Sequence, residues 1–495
     1  MNSEQGAHKL LPTSWATVRL GEFVQSEKGK KPKRESEQPN ERFRFPYIDI
    51  AAFEEGKVKS WTDGDECRFC DEGDFLMVWD GSRSGLVGRG VKGALGSTLV
   101  RIRFDGMIND YAYYFLQSKY LEINSRAKGS GTPHVDPDLL WNYAFPIAPI
   151  NEQRRIVERI ETLLTQQDSA RDALLLAQKQ LKLYRHVVLR SAYEGELTKE
   201  WRTHQNSAFE TAQELVARIQ AERAPRQGKR LSTRKAARNP KDTDALSTEE
   251  REKLTTLPDV WAWIRLGELF DVYVGATPSR SRSEFWGGSV SWVSSGEVRF
   301  ERIQKTKEQI TDLGLAHTST VVHPPGTVML AMIGEGKTRG QAAILDISAC
   351  HNQNTAAIRI SETDCVPEYL FWYLQYQYQV TRTLGSGNNQ KALNKERVSN
   401  ITLPLAPVKE QQKIVNELAA KISIIERLED EVQAGLQRDE MLRLAIFKRA
   451  FSGRLVAQDS RDEPASELLS RIREQAIRLK SKKQPANKNG KKEAA

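Results

Sequence analysis

Cysteine is scarce in this chain: four residues in 495, Cys67, Cys70, Cys350 and Cys365. That is too few for a disulfide framework at this size. Cys67 and Cys70 form a single C-x-x-C, and a zinc site needs a second ligand pair at a fitting distance. Cys350 with His351 is remote in sequence, so ordinary reduced cysteines and no metal are expected. Also missing is any run of about 18 apolar residues, which argues against a membrane span. Met1 to Leu11 holds no apolar signal-peptide core, and a cytoplasmic location is the expectation.

Catalytic signatures are missing too. There is no Asn-Pro-Pro-aromatic motif for base methylation and no glycine-rich cofactor loop opening a helix after a strand. Nuclease-like carboxylate clusters with a nearby lysine are not evident. Ala331 to Thr338 nearly fits the phosphate loop G-x-x-x-x-G-K-[ST]. Its first position is alanine, and the strand-like Ala342 to Ile347 follows where a phosphate site needs a helix N-terminus. The chain is therefore read as non-catalytic, with no cofactor.

What is present is positive charge, unevenly placed. The net charge is +9. Arg223 to Lys241 holds eight Lys/Arg and no acid, and Arg471 to Glu493 holds nine against two acids. Together these exceed the net charge of the whole chain, so the remainder is net negative. Both segments read as mobile. They serve either as solubilising linker and tail or as weak, non-specific attraction for phosphates. Nucleic-acid contact by the globular parts must then come from local patches.

The strongest signal is internal repetition. Leu11-Pro12-Thr13-Ser14-Trp15 and Val18-Arg19-Leu20-Gly21-Glu22 return as Leu257-Pro258-Asp259-Val260-Trp261 and Ile264-Arg265-Leu266-Gly267-Glu268, with identical internal spacing. Phe145-Pro146 to Val157 returns as Leu403-Pro404 to Val415, and Ala192-Tyr193-Glu194-Gly195 as Ala450-Phe451-Ser452-Gly453. Between these landmarks the halves diverge on a shared skeleton. Asp110 to Leu116 parallels Glu368 to Leu374, and Gly129-Ser130-Gly131 parallels Gly385-Ser386-Gly387, setting His134 opposite Gln390. One skeleton with different filling is what two copies doing one job on different targets would show. Short apolar runs bounded by glycines, such as Phe75 to Trp79 and Val328 to Ile333, read as strands inside α/β modules.

Two long helices follow the modules. Glu152 to Ser191 has no Pro or Gly, and Glu410 to Phe451 has only Gly435. Ile414, Leu418, Ile422, Ile425, Leu428 (or Glu429), Val432 and Leu436 recur at steps of three and four. Ile156, Ile160, Leu163, Asp168, Leu174 and Leu181 do so less regularly. One apolar stripe on a long helix predicts a coiled coil. About forty residues span roughly 60 Å. Neither helix can bury its stripe alone, and antiparallel pairing of the two is expected.

These paired landmarks, with Gly275-Ala276-Thr277-Pro278-Ser279 and Phe285-Trp286-Gly287-Gly288, closely resemble the specificity subunits of type I restriction-modification enzymes over about Leu11 to Arg473. The resemblance implies two target recognition domains, each reading one half of a split, asymmetric double-stranded DNA site. It implies that the paired helices set the gap and dock two methyltransferase subunits, through which an endonuclease/translocase is recruited. The expected domains are recognition modules 1–150 and 257–408, spacer helices 151–197 and 409–456, a basic linker 198–256 and a basic tail 457–495. A protein-only coiled-coil adaptor is the rival reading, and divergent modules argue against it.

The residues expected at DNA lie in polar loops after glycine turns. Ser82, Arg83 and Ser84 follow Gly81, and Lys337, Thr338 and Arg339 follow Gly336 at the matching place. Glycine permits close backbone approach, and arginine can bind guanine bidentately. The Gly-Ser-Gly loops add Ser130, Thr132 and His134, and Ser386, Asn389, Gln390 and Lys391.

Overall fold

The computed structural model describes residues 11–129, 131–205, 210–233, 246–334, 336–383 and 392–483. They form two compact units, Met1–Leu175 with Gln433–Ala495, and Leu176–Val432. The longer helices are α1 (Asn109–Ser125), α2 (Ile150–Tyr193), α3 (Ala212–Thr233), α4 (Pro367–Tyr376), α5 (Val408–Ala450) and α6 (Ala465–Lys483). The long helices match the stretches Glu152–Ser191 and Glu410–Phe451 to within two residues at each end, and stop short of the expected spacer ends at 197 and 456.

In the first unit, β1 (Ala16–Arg19) pairs antiparallel with a later strand, Ala144–Ile147. The central sheet uses β2 (Val24–Lys28), β3 (Phe75–Val78), β4 (Val87–Arg89) and β5 (Leu99–Phe104), in the order β2-β5-β3-β4. The strand Ala144–Ile147 is β6. The second unit repeats this plan. There β7 (Ala262–Arg265) pairs with Thr402–Leu405, and β8 (Asp271–Val274), β9 (Arg302–Ile303), β10 (Val328–Ala331), β11 (Ala342–Leu345) and β12 (Thr355–Arg359) form a sheet in the order β8-β12-β10-β11-β9. The α/β expectation holds, with these central sheets largely antiparallel.

The helices α2 and α5 pair antiparallel in each unit. In the first, Arg443 faces Asp168 at 3.6 Å, Arg171 faces Asp439 at 4.0 Å, and Leu174 lies on Gly435, where a Cβ would meet it at 3.1 Å. Asp168, read as part of the apolar stripe, is an exposed partner of this seam instead. In the second unit Arg185 bonds Glu429 at 2.9 Å. Ile414, Leu418, Ile422 and Ile425 are buried as the periodicity predicts, whereas Leu428 is exposed.

Each unit is closed by a helix from the stretch read as linker or tail. Ala212, Leu215 and Ile219 of α3 enter the second unit's core. Ala465, Leu468, Leu469 and Ile472 of α6 enter the first unit's core. The two helices share a pattern that the sequence reading passes over: Ala212-x-Glu214-Leu215-x-x-Arg218-Ile219 against Ala465-x-Glu467-Leu468-x-x-Arg471-Ile472. Arg223, expected in a mobile segment, is anchored by the Glu268 carbonyl at 2.6 Å and Asp271 at 2.7 Å.

The repeated tryptophans and glutamates meet in both cores. Trp15 Nε1 donates to Glu152 at 2.9 Å, and Trp261 Nε1 donates to Glu410 at 2.8 Å. Glu410 also faces Arg202 at 2.9 Å and accepts from Thr198 at 2.7 Å. Glu152 has Gln458 at 2.5 Å in that place. Without a cation in direct contact, burial raises the Glu152 carboxyl above its ordinary range, partly offset by Trp15 and Gln458. A carboxyl raised by folding adds stability below its unfolded pKa and loses it as pH rises through the folded value. Glu152→Gln is therefore expected to raise the melting temperature of the first unit at pH 7 and to do little near pH 4. Calorimetry of the full chain at both pH values checks this; a lower melting temperature at pH 7 refutes it.

Candidate nucleic-acid interface

Strand pairing brings the variable loops of each module to one end of its sheet. In the first module, Lys28 at the end of β2 pairs with Val100, and Val78 at the end of β3 pairs with Leu99 at the start of β5. The loops after β2 and β3 and before β5 therefore share an edge. In the second module, Val274 pairs with Ala356 and Ala331 with Thr355, so the loops after β8 and β10 and before β12 share the matching edge.

The loop after β3 and the loop after β10 are built alike. Gly81 and Gly85 bracket the first with φ of 120° and 90°, and Gly334 and Gly340 bracket the second with 134° and 84°. These left-handed angles favour glycine. Gly85 N–H donates to the Val78 carbonyl at 2.7 Å, and Gly340 N–H to the Ala331 carbonyl at 2.8 Å, closing each turn. A helix end then pins the loop backbone. Asn124 donates to the carbonyls of Ser82 and Ser84, both at 3.0 Å, and Tyr378 donates to the Lys337 carbonyl at 2.5 Å.

This frame decides which side chains face outward. Ser82, Arg83 and Lys337 are exposed and Thr338 is half-exposed. Ser84 and Arg339 are buried. Arg339 donates to the Arg382 carbonyl at 3.0 Å, fastening its loop to the following helix. Both were expected at DNA; the turn directs both side chains inward. Arg83 is ion-paired to Glu54, and Lys28 to Asp80 at 2.7 Å.

The third loop joins the same edge. His134 bridges to Lys128 and Asp80, and Gly81 N–H donates to the Pro133 carbonyl at 2.7 Å. Thr132 is exposed and His134 half-exposed. Lys128 holds Asp136 at 2.8 Å and keeps that carboxyl below its usual range. Ser130, Ser386, Asn389, Gln390 and Lys391 lie outside the described residues. The anchor points still fix the alignment. Val135 N–H donates to the Trp79 carbonyl and Leu393 N–H to the Met332 carbonyl, each at 2.9 Å. His134 therefore corresponds to Ala392, not Gln390, and the second loop is longer by two residues.

Sequence reasoning sets Lys28-Gly29-Lys30-Lys31-Pro32 against Gly275-Ala276-Thr277-Pro278 at the corner after the second strand, but places no DNA contact there. Gly29-Lys30-Lys31-Pro32-Lys33-Arg34 matches Gly275-Ala276-Thr277-Pro278-Ser279-Arg280, at the same distance from Trp15 and Trp261. A Cβ on Gly29 would come within 2.1 Å of the Gly96 carbonyl oxygen, and one on Gly275 within 2.0 Å of that of His351. These two close approaches make the corners equivalent in backbone, a point the differing side chains leave open in the sequence.

Among the described residues, no group of three or more His, Cys, Asp or Glu side chains could hold a metal ion. Cys70 is buried, which pushes its thiol up to about 11. No helix among them is long and apolar enough to cross a membrane.

The family described as the type I restriction modification DNA specificity domain matches twice, at residues 12–174 and 258–434. The chain is 24% identical to the type I restriction enzyme MjaVIII specificity subunit of Methanocaldococcus jannaschii, covering 84% of this chain and 88% of that one. It is 23% identical to the EcoDI specificity subunit of Escherichia coli, covering 92% and 91%. A chain solved in a study of assembly and conformational transition of the type I R-M system shares the fold, with a TM-score of 0.63 at 20% identity over 90% of this chain.

Proposed function

The chain belongs to the type I restriction-modification DNA specificity family, and on that premise we propose that it is the sequence-reading subunit of such a complex, with no chemistry of its own. Each module reads one half of an asymmetric bipartite site in double-stranded DNA. The observation behind this reading is the repeated loop frame: two edges with matching glycines and anchors but different outward side chains. Ser82, Arg83, Thr132, His134, Lys337 and Thr338 are the described candidates for contact. Base edges supply the discrimination and phosphates the register. The paired helices set the gap, since DNA advances about 3.4 Å per base pair along each strand. The complex works in the cytoplasm.

Two exposed apolar pairs on the long helices fit the docking of two methyltransferase subunits. Leu183 and Tyr184 on α2 are 64% and 50% exposed, and Met441 and Leu442 on α5 are 67% and 59% exposed. The pairs stand at equivalent places of the repeat, 258 residues apart, as Glu152 and Glu410 do. Two like patches fit two copies of one partner, through which an endonuclease subunit joins.

Mapping methylated bases genome-wide tests the reading. Deleting the gene while keeping its methyltransferase should erase methylation at one split motif. Exchanging residues 1–150 for another module should change one half of that motif and leave the other. An unchanged map overturns the reading and favours a protein-only adaptor.

A further inference from the structure

The matching corners after the second strands differ sharply in charge. Lys30, Lys31, Lys33 and Arg34 make the first corner strongly basic, whereas the second has Ala276, Thr277, Ser279 and Arg280 in those places. Both corners are held rigidly. Gly29 N–H donates to the Leu99 carbonyl at 3.0 Å and Lys30 N–H to the Leu95 carbonyl at 3.2 Å. In the second, Ala276 N–H donates to the His351 carbonyl at 3.0 Å and Thr277 Oγ1 to Gln353 at 2.5 Å.

Carboxylates already occupy most cations at these corners. Lys33 pairs with Glu66 at 2.5 Å and Arg34 with Asp63 at 3.4 Å. Arg280 pairs with Glu308 and lies 3.7 Å over the Trp286 ring. Lys30 and Lys31 are different. Both are exposed, and neither has an ion-pair partner among the described residues. Next to them, Lys28 joins the corner to Asp80 of the loop that presents Ser82 and Arg83.

We propose that Lys30 and Lys31 form a phosphate clamp at the edge of the first module's DNA-reading loops, absent from the second module. The clamp rests on the reading above and adds a division of labour to it. The first module supplies extra sequence-independent affinity, and the second relies more on its base contacts. The two ammonium groups sit on a fixed backbone beside the reading loop and need not be released from a carboxylate first. Unpaired ammonium groups bind phosphate as compact charges and release condensed counterions, without selecting a base.

The test uses the full chain assembled with its methyltransferase. Affinity is measured against salt for two duplexes, one with the motif from methylation mapping and one with that motif scrambled. Two released counterions correspond to about 1.8 in the slope of log affinity against log salt. The K30Q/K31Q variant should lose that slope on both duplexes and keep the wild-type ratio between them. Between 50 and 200 mM salt its affinity should fall about twelvefold less than that of the wild type. The control K253Q/K409Q removes the same charge from exposed positions of the second unit and should leave the slope unchanged. An unchanged slope in K30Q/K31Q, or an equal effect in the control, overturns the clamp. A collapsed ratio between duplexes also overturns it, because the lysines then read bases. If the wild type itself does not prefer the motif duplex, the underlying reading fails instead.

Discussion

Replacing Leu183 and Tyr184 by aspartate, together with Met441 and Leu442, should abolish assembly with the methyltransferase while the chain stays folded. All four side chains are half or more exposed, so the substitutions take little from either core. On the proposed docking each patch is covered, and each carboxylate introduced there would be buried without a counter-charge. The few hot-spot residues of an interface cost about 2 kcal/mol or more each when altered, and each patch is taken to hold two of them. Two per patch give about 4 kcal/mol, close to a thousandfold in affinity. Altering only L183D/Y184D should leave a one-to-one complex on the other patch, as should M441D/L442D alone. Analytical ultracentrifugation with purified methyltransferase reads the stoichiometry. Normal two-to-one assembly by the quadruple variant would place the docking surface elsewhere.

The second large effect concerns the chain's end. Truncation after Val456 should unfold the first unit and spare the second. The deletion removes Leu468, Leu469 and Ile472, all under 10% exposed, from the first unit's core. At about 1.5–3 kcal/mol for each buried side chain, the loss is about 5–9 kcal/mol. That is comparable to the whole stability of a typical domain. It also breaks the Arg155–Asp462 ion pair at 2.6 Å and the Ala465-to-Ser14 backbone bond at 2.9 Å. Hydrogen exchange should show lost protection across β2, β3 and β5 and retained protection across β8, β10 and β12. The full-length L468D/L469D variant should do the same. Protection that survives in both units would show that α6 is dispensable.

Much of this was legible because repetition is a property of sequence. The Trp15/Trp261 openings, the Glu152/Glu410 helix starts and the Tyr111/Tyr369 helices each recur with fixed local spacing. The structure gives them matching roles: Tyr111 donates to the Pro146 carbonyl at 2.9 Å and Tyr369 to that of Pro404 at 2.5 Å. The site was legible only as a set of loops. Ser84 and Arg339 look like their neighbours in sequence, and closure of the glycine turn sends them inward. His134 falls opposite Gln390 by letter count, but hydrogen bonds from Val135 and Leu393 place it opposite Ala392. A loop's length difference is invisible until its two ends are anchored.

The sequence by itself determined two like modules, two long apolar-striped helices and a family. The helices follow from an apolar period that acts locally, and the modules and the family from short motifs that recur in the same order in the second half. Only the tertiary structure decided which segment completes which core. In the first unit the last turns of α5 lie antiparallel to the start of α2, so the residues after Ala450 arrive beside Trp15 and not beside Trp261. Nothing in the local pattern of α6 distinguishes those two destinations, because α3 and α6 bear the same apolar face. The choice is made by helix direction over dozens of residues, and that depends on long-range packing.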